Sequence, residues 1–355
     1  MDARQQASSR IETVLGPVDP VDAGMALIHE HVLFDLTCLY SALSQGPPSS
    51  WLEGAEEGLS LALLGWTRMH PYNSMENLKC SEIATAIAEL ERYKLAGGGL
   101  IADVSNVSIG RNPQGLRRAA EATGVHIVMG CGYYVAKSHP PELDKATVEE
   151  LANEMIADIT IGVDDTGIRA GVIGELGLSD PGVKTEHTCI EAAAMAQQET
   201  GCAIVMHSPA GPQGPFQAAS LLEQAGADPT RTVISHVDAR FGEEIDSYRR
   251  LADHGFVLGL DTFGRDIYID FMKLQLPNDS ARIRAVKALC DAGMREQLVL
   301  AQDICLKMEL CSFGGYGYGH LLENLWSRFL DAGLAEKDLL QVLQINPVRL
   351  LTVTS

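Results

Sequence analysis

The chain has 355 residues, 46% hydrophobic and 21% charged, with a formal net charge of -20. That balance suits a globular enzyme with a large core, and it excludes nucleic-acid binding and docking on an anionic membrane. No apolar run approaches the roughly 18 residues of a membrane span, Met1 to Arg10 carry no signal core, and eight scattered cysteines form no C-x-x-C, so the expectation is a cytoplasmic protein with reduced thiols.

Residues 11–24 read as a short hairpin or extended piece with prolines at its turn. The first buried strand follows at 25–31, where Met25-Ala-Leu-Ile runs into His29-Glu-His31. Residues 37–79 hold Trp51, Trp66, Met69 and Tyr72, too apolar for a linker; they read as an elaborated loop over that strand's end, with a short helix at 55–65. A helix at 80–96, with Ile83, Ile87, Leu90 and Tyr93 on one face, ends at Gly97-Gly-Gly99. Strand and helix then alternate. Strands are expected at 100–104, 125–130, 171–175, 203–207, 232–236, 256–261 and 298–303, and helices at 113–124, 147–162, 186–200, 215–226, 242–254 and 279–292. A Gly/Tyr-rich loop at 312–319 and helices at 320–332 and 335–344 follow. The helices tend to stop at glycine, as left-handed C-terminal capping requires, and the strands are near-continuous apolar runs, as in a parallel sheet covered on both faces. Eight such units predict a single (β/α)8 TIM barrel spanning 1–355. A doubly wound sheet lacks support, since no Gly-x-Gly-x-x-Gly or Walker sequence opens a helix.

Strand alternation turns His29 and His31 the same way, about 6–7 Å apart at their Cα atoms, within reach of one cation. By itself His-x-His also describes two unrelated core or surface histidines. In a barrel of this type the active site lies at the C-terminal strand ends, and there this chain places His29, His31, Glu175, His207, His236 and Asp303. Any one would be an ordinary hydrogen-bonded residue; six across five strands point to metal. Four imidazoles and two carboxylates exceed one tetrahedral ion with an open position and suit two divalent ions about 3.5–4 Å apart. His29, His31 and Asp303 would hold one, His207 and His236 the other, and Glu175 would bridge them. A water shared by two cations loses its proton near neutral pH, and Asp303 can accept that proton and pass it to the leaving group. The reaction class is hydrolysis at carbon or phosphorus, with no nucleotide cofactor. His70, His126, His139, His187, His254 and His320 receive no catalytic role.

These residues, with Thr13-Val-Leu-Gly-Pro17, Ile28-His-Glu-His31, Gly171-Val-Ile-Gly-Glu-Leu-Gly177, Ile234-Ser-His-Val-Asp238 and Gln302-Asp-Ile304, resemble the phosphotriesterase family of the amidohydrolase superfamily, and within it the phosphotriesterase-related proteins. The likeness runs over nearly the whole chain. It implies a binuclear centre, usually zinc as isolated, with manganese, cobalt or iron(II) as alternatives, and a homodimer, since family members are often dimers. Phosphotriesterases proper bridge their metals with a carboxylated lysine on the fourth strand; here that position is Glu175, which counts against organophosphates as the native substrate. Family members hydrolyse lactones, phosphotriesters or N-acyl amides such as N-acetyltaurine. The resemblance therefore implies a small amide, ester or lactone as substrate, with a phosphotriesterase or a catalytically silent metal scaffold as alternatives. Arg111, Tyr134, Arg240, Arg265 and Tyr268 lie just past strand ends and are the candidates for substrate binding; an arginine there could hold a sulfonate, phosphate or carboxylate tail.

Overall fold

The computed structural model describes residues 9–41, 59–269 and 272–354. Eight parallel strands lie side by side in chain order: β1 (Met25–Glu30), β2 (Gly98–Asp103), β3 (His126–Cys131), β4 (Val172–Gly177), β5 (Ile204–His207), β6 (Thr232–Ile234), β7 (Val257–Leu260) and β8 (Leu298–Leu300). The ring closes where the Asp303 N–H, just past β8, donates to the His29 carbonyl at 3.2 Å. Between and after the strands run α1 (Ile83–Leu95), α2 (Pro113–Thr123), α3 (Val148–Thr160), α4 (Lys184–Thr200), α5 (Gly214–Ala225), α6 (Ile245–Asp253), α7 (Asp279–Asp291) and α8 (Trp326–Asp331). This is the expected (β/α)8 barrel.

Alternation along the strands builds two cores. Val172, Val205, Val233, Val257 and Val299 point into the barrel with Ala26 and Ile28, where Ile11 and Leu350 plug the end opposite the histidines. Their neighbours Ile173, Ile204, Leu258 and Leu298 point outward onto helix residues such as Leu116, Ile190, Leu222 and Leu251. Helix boundaries follow local chemistry. Asn112 caps α2 by accepting from the Gly115 N–H at 2.9 Å, and Thr147 with Glu150 forms a capping box on α3, each worth about 1 kcal/mol. At the C-terminal ends Gly124, Gly201 and Gly226 adopt positive φ, the conformation that favours glycine.

Three expectations change. The helix at 55–65 lies partly outside the described residues, as does Trp51; the helix observed in this stretch is Leu64–Met69, followed by a turn that places Tyr72 in the core. The helix expected at 242–254 is α6, which starts three residues later at Ile245, because a separate short helix, Val237–Phe241, comes before it and ends at Gly242. The helix expected to end at 344 continues in helical backbone through the wider π turn Gln341–Ile345 into Asn346–Leu351, and Pro347, which has no N–H to donate, lies just after that π turn. The N-terminal hairpin pairs Ser9–Thr13 with Gly16–Val18 and adds Thr352–Thr354 on its other edge. Among the described residues no helix is long and apolar enough to cross a membrane.

Candidate metal centre

Irregularities in the strands aim the site. Strict alternation from Val172 would turn Glu175 outward, but a register shift between Ile173 and Leu176 on β4 turns it inward; a second shift between Leu27 and Glu30 does the same for His29. His236 and Asp303 lie just beyond their strands with φ of 61° and 49°, a left-handed conformation rare outside glycine. Backbone strain of this kind gathers where function requires a fixed side-chain direction.

The six predicted residues converge. Glu175 Oε1 lies 3.3 Å from His29 Nε2, 3.1 Å from His207 Nδ1 and 3.1 Å from His236 Nε2, while its Oε2 lies 3.7 Å from His31 Nε2. Asp303 Oδ1 is 3.3 Å from His31 Nε2 and 3.6 Å from His29 Nε2. The donor atoms of His29, His31 and Glu175 lie within 4.8 Å of one another, as do those of Glu175, His207 and His236. These two groups share Glu175, the arrangement expected of a bridging carboxylate.

The donors fit divalent cations. His29 Nε2 is buried and makes no well-aligned hydrogen bond: with Nδ1 given to Asp261, the neutral ring turns its Nε2 lone pair toward carboxylate oxygens at 3.3 and 3.6 Å, an arrangement a cation would satisfy. His207 Nδ1 and His236 Nε2 face each other at 3.0 Å, where two lone pairs repel unless a cation or a proton stands between them. Imidazole nitrogen with carboxylate oxygen is the donor set of zinc and its first-row neighbours. Burial alone would raise the Glu175 carboxyl, but His29, His207 and His236 hold it well below its usual range. Burial works against a charged His29, yet Glu175 and Asp261 outweigh it and raise its pKa. The same negative surroundings that favour a proton here would favour a cation.

Three residues that orient the centre escaped the sequence reading. Asp261, just past β7, receives His29 Nδ1 at 2.9 Å on one oxygen and His236 Nδ1 at 2.8 Å on the other, so one carboxylate turns the Nε2 atoms of both rings toward Glu175. It closes an apolar run as the other ligands do, and that was the available signal. Glu30, the middle residue of His-Glu-His, accepts the Gln302 N–H at 2.7 Å and the Ile304 N–H at 2.9 Å, clamping the backbone on both sides of Asp303. Ser105 Oγ, 3.0 Å from His31 Nδ1, orients the remaining ring of the first group.

The five substrate candidates divide. Tyr134, Arg240 and Arg265 line the cavity over the histidines, with Leu36, Tyr72, Ile269 and Leu276 as its apolar wall. The Tyr134 hydroxyl is 3.4 Å from His207 Nδ1. A Cβ on Gly177 would come within 2.2 Å of the Val135 nitrogen, so this glycine lets the loop bearing Tyr134 pack down on the site. Arg265 is buried, and its guanidinium bonds Asp303 and lies 2.7 Å from Glu309. Arg111 is not brought to the cavity: Asp158 at 2.6 Å and Asp164 at 3.4 Å claim its guanidinium. Tyr268 also stays outside the lining, on a short antiparallel ladder opposite Gln275, and its neighbour Ile269 enters instead.

Comparison with known proteins agrees with this geometry. The sequence model of the Phosphotriesterase family matches residues 9–351. The chain is 35% identical to N-acetyltaurine hydrolase of Homo sapiens and 36% identical to that of Mus musculus, each over 348 residues covering 97% of this chain and 98% of the relative. Its fold is similar to the crystal structure of a resiniferatoxin-binding protein from Rhodobacter sphaeroides, with a TM-score of 0.91, 31% identity and coverage of 96% of this chain and 94% of that one. It is also similar to the phosphotriesterase homology protein of Escherichia coli, solved with phosphate in its active site, with a TM-score of 0.76, 26% identity and coverage of 93% and 99%. Taken with the match over nearly its full length, these likenesses mean that the chain belongs to the phosphotriesterase family and is a metal-dependent hydrolase of the amidohydrolase type.

Proposed function

We propose that this protein is a binuclear metallohydrolase, one (β/α)8 domain holding two zinc ions, that cleaves a small amide, ester or lactone at its carbonyl carbon. The observation that carries this reading is the place of Glu175, one carboxylate shared by two groups of donors that are buried except for the half-buried His207. His29, His31 and Asp303 would hold one ion, His207 and His236 the other, and Glu175 would touch both. Two bound cations would polarise the carbonyl and acidify a water molecule enough for attack near neutral pH. Asp303 accepts the proton of the attacking water and delivers it to the leaving group. Arg265 keeps that carboxylate ionised and fixed in direction: burial would raise the Asp303 carboxyl, and the guanidinium, then His31, His236 and His29, hold it down. Burial, with Glu175 nearby, pushes the Tyr134 phenol well up, so it stays protonated and can donate a hydrogen bond to bound substrate.

The N-acetyltaurine hydrolase relatives favour an N-acyl amide over a phosphotriester as the native bond, and so does a glutamate in place of a modified lysine on β4. Eight free cysteines favour a reducing compartment such as the cytoplasm. Two measurements test the reading. Metal analysis of zinc-reconstituted protein is expected to give two ions per chain, and fewer than about one and a half would favour a silent scaffold. A panel of N-acyl amino sulfonates, N-acyl amino acids, lactones and phosphotriesters is expected to show its highest kcat/KM among the carbonyl compounds; a maximum among the phosphotriesters would reverse the assignment.

A further inference from the structure

A cavity that leaves a guanidinium uncompensated invites an anion. Arg111 and Arg265 are both neutralised by carboxylates. Arg240 is not. It lies on the short helix Val237–Phe241 and lines the same cavity as His31, Glu175, His207 and His236. Its Nε donates to the Pro209 carbonyl at 2.9 Å and its Nη2 to the Ser208 carbonyl at 3.1 Å. Those acceptors fix the plane of the group but bring no formal negative charge. Of the five N–H bonds of a guanidinium, about three remain. Among the described residues no carboxylate lies within ion-pairing distance of it; Asp238, which acts on it electrostatically, is already bound to Arg282 at 2.8 Å. Burial pulls the pKa of Arg240 down, as expected of a cation lacking a counter-ion. The walls around it, Leu36, Leu39, Ile269, Met272 and Leu276, are apolar and offer no other handle for charge. The overall charge of -20 repels anions, so a local cation is needed to hold one.

We infer that Arg240 binds an anionic group, a sulfonate or carboxylate, at the end of the substrate remote from the scissile carbonyl, and so sets the preference of the site for acyl compounds with a negatively charged tail. This inference rests on the hydrolase reading of the same cavity, and the experiment separates the two.

Matched pairs of substrates are compared on the zinc-loaded enzyme: N-acetyl-β-alanine against its carboxamide, and N-acetyl-2-aminoethanesulfonate against its sulfonamide. The wild type is expected to prefer the anionic member of each pair. Arg240→Met should shrink that ratio of kcat/KM about 100-fold, mostly through KM, and Arg240→Lys should restore about tenfold of it. An unchanged ratio in Arg240→Met, or a wild type that prefers the neutral members, overturns the inference. The second readout is calorimetric binding of ethanesulfonate to zinc-loaded and zinc-free protein. It should occur in both wild-type forms and in neither form of Arg240→Met. Binding that follows zinc and ignores Arg240, or no binding to wild type, also overturns it. Binding that requires Arg240 in an enzyme that hydrolyses no member of either pair would instead uphold the anion site and sink the hydrolase reading.

Discussion

Replacing Asp261 with asparagine tests whether one carboxylate aligns both halves of the centre. Asp261 Oδ2 lies 2.9 Å from His29 Nδ1, and Oδ1 lies 2.8 Å from His236 Nδ1 and 2.8 Å from the His236 backbone nitrogen. His29 stands with His31 and Glu175, His236 with His207 and Glu175, and both rings meet again in a group with Asp261, so this carboxylate reaches both halves of the centre. Asparagine keeps the shape but offers one acceptor oxygen and an NH2, which can satisfy only one of the two Nδ1–H groups. The other imidazole must change tautomer or turn, and its Nε2 then no longer presents a lone pair to the centre. Loss of such an outer partner typically costs 10–100-fold in metal affinity, about 1.4–2.7 kcal/mol, and the cost should fall on one ion. Asp261→Ala should cost both ions, and it also strands the buried His236 N–H, removing a further ~1–3 kcal/mol of stability. The assay is chelator competition read as ions per chain, with melting of the metal-free proteins to separate stability from binding. Ser235→Ala is the control, because Ser235 Oγ is 3.0 Å from His29 Nδ1 and could share the orienting task. If Asp261→Asn binds both ions as tightly as wild type, or if Ser235→Ala loses more affinity, the orienting role of Asp261 is refuted.

Asp303→Asn is expected to remove at least about 100-fold of kcat while the fold persists, as loss of a general base implies; full activity in that variant would discard the proton transfer assigned here. Glu30→Gln leaves one of two backbone donors beside Asp303 without a strong acceptor, so melting should show a loss of about 1–3 kcal/mol and kcat should fall as Asp303 loosens; an unchanged kcat with lower stability would limit Glu30 to the fold. Arg111→Met breaks a largely buried ion pair with Asp158 and should cost about 3 kcal/mol in stability while leaving KM alone, whereas a raised KM would return Arg111 to the substrate site. Dialysis against a strong chelator should lower the melting temperature and zinc should restore it, because ions held by folded donors stabilise by mass action; equal melting with and without zinc would count against a preformed centre.

Local patterns were sufficient for the barrel. An apolar run, a glycine stop and a helical face are properties of ten or so neighbouring residues, and they placed every one of the eight strands close to its observed position. That His29, His31, Glu175, His207, His236 and Asp303 lie at one end of the barrel followed from the same pattern, since in a parallel barrel the residues that close apolar runs share one end. Asp261 closes such a run too, but its task depends on two rings from elsewhere in the ring of strands. The arginines mark the boundary most clearly. Arg111 and Arg240 both lie just past a strand end, and nothing in their neighbours separates them. Only the folded chain does so, because Asp158 and Asp164, dozens of residues downstream, neutralise the first, while Ser208 and Pro209 offer the second carbonyl oxygens without charge. Apolar periodicity is short-ranged and additive, so a sequence carries it openly. Charge compensation and the register shifts that aim Glu175 and His29 are sums over residues far apart in the chain, and the tertiary structure alone decides them.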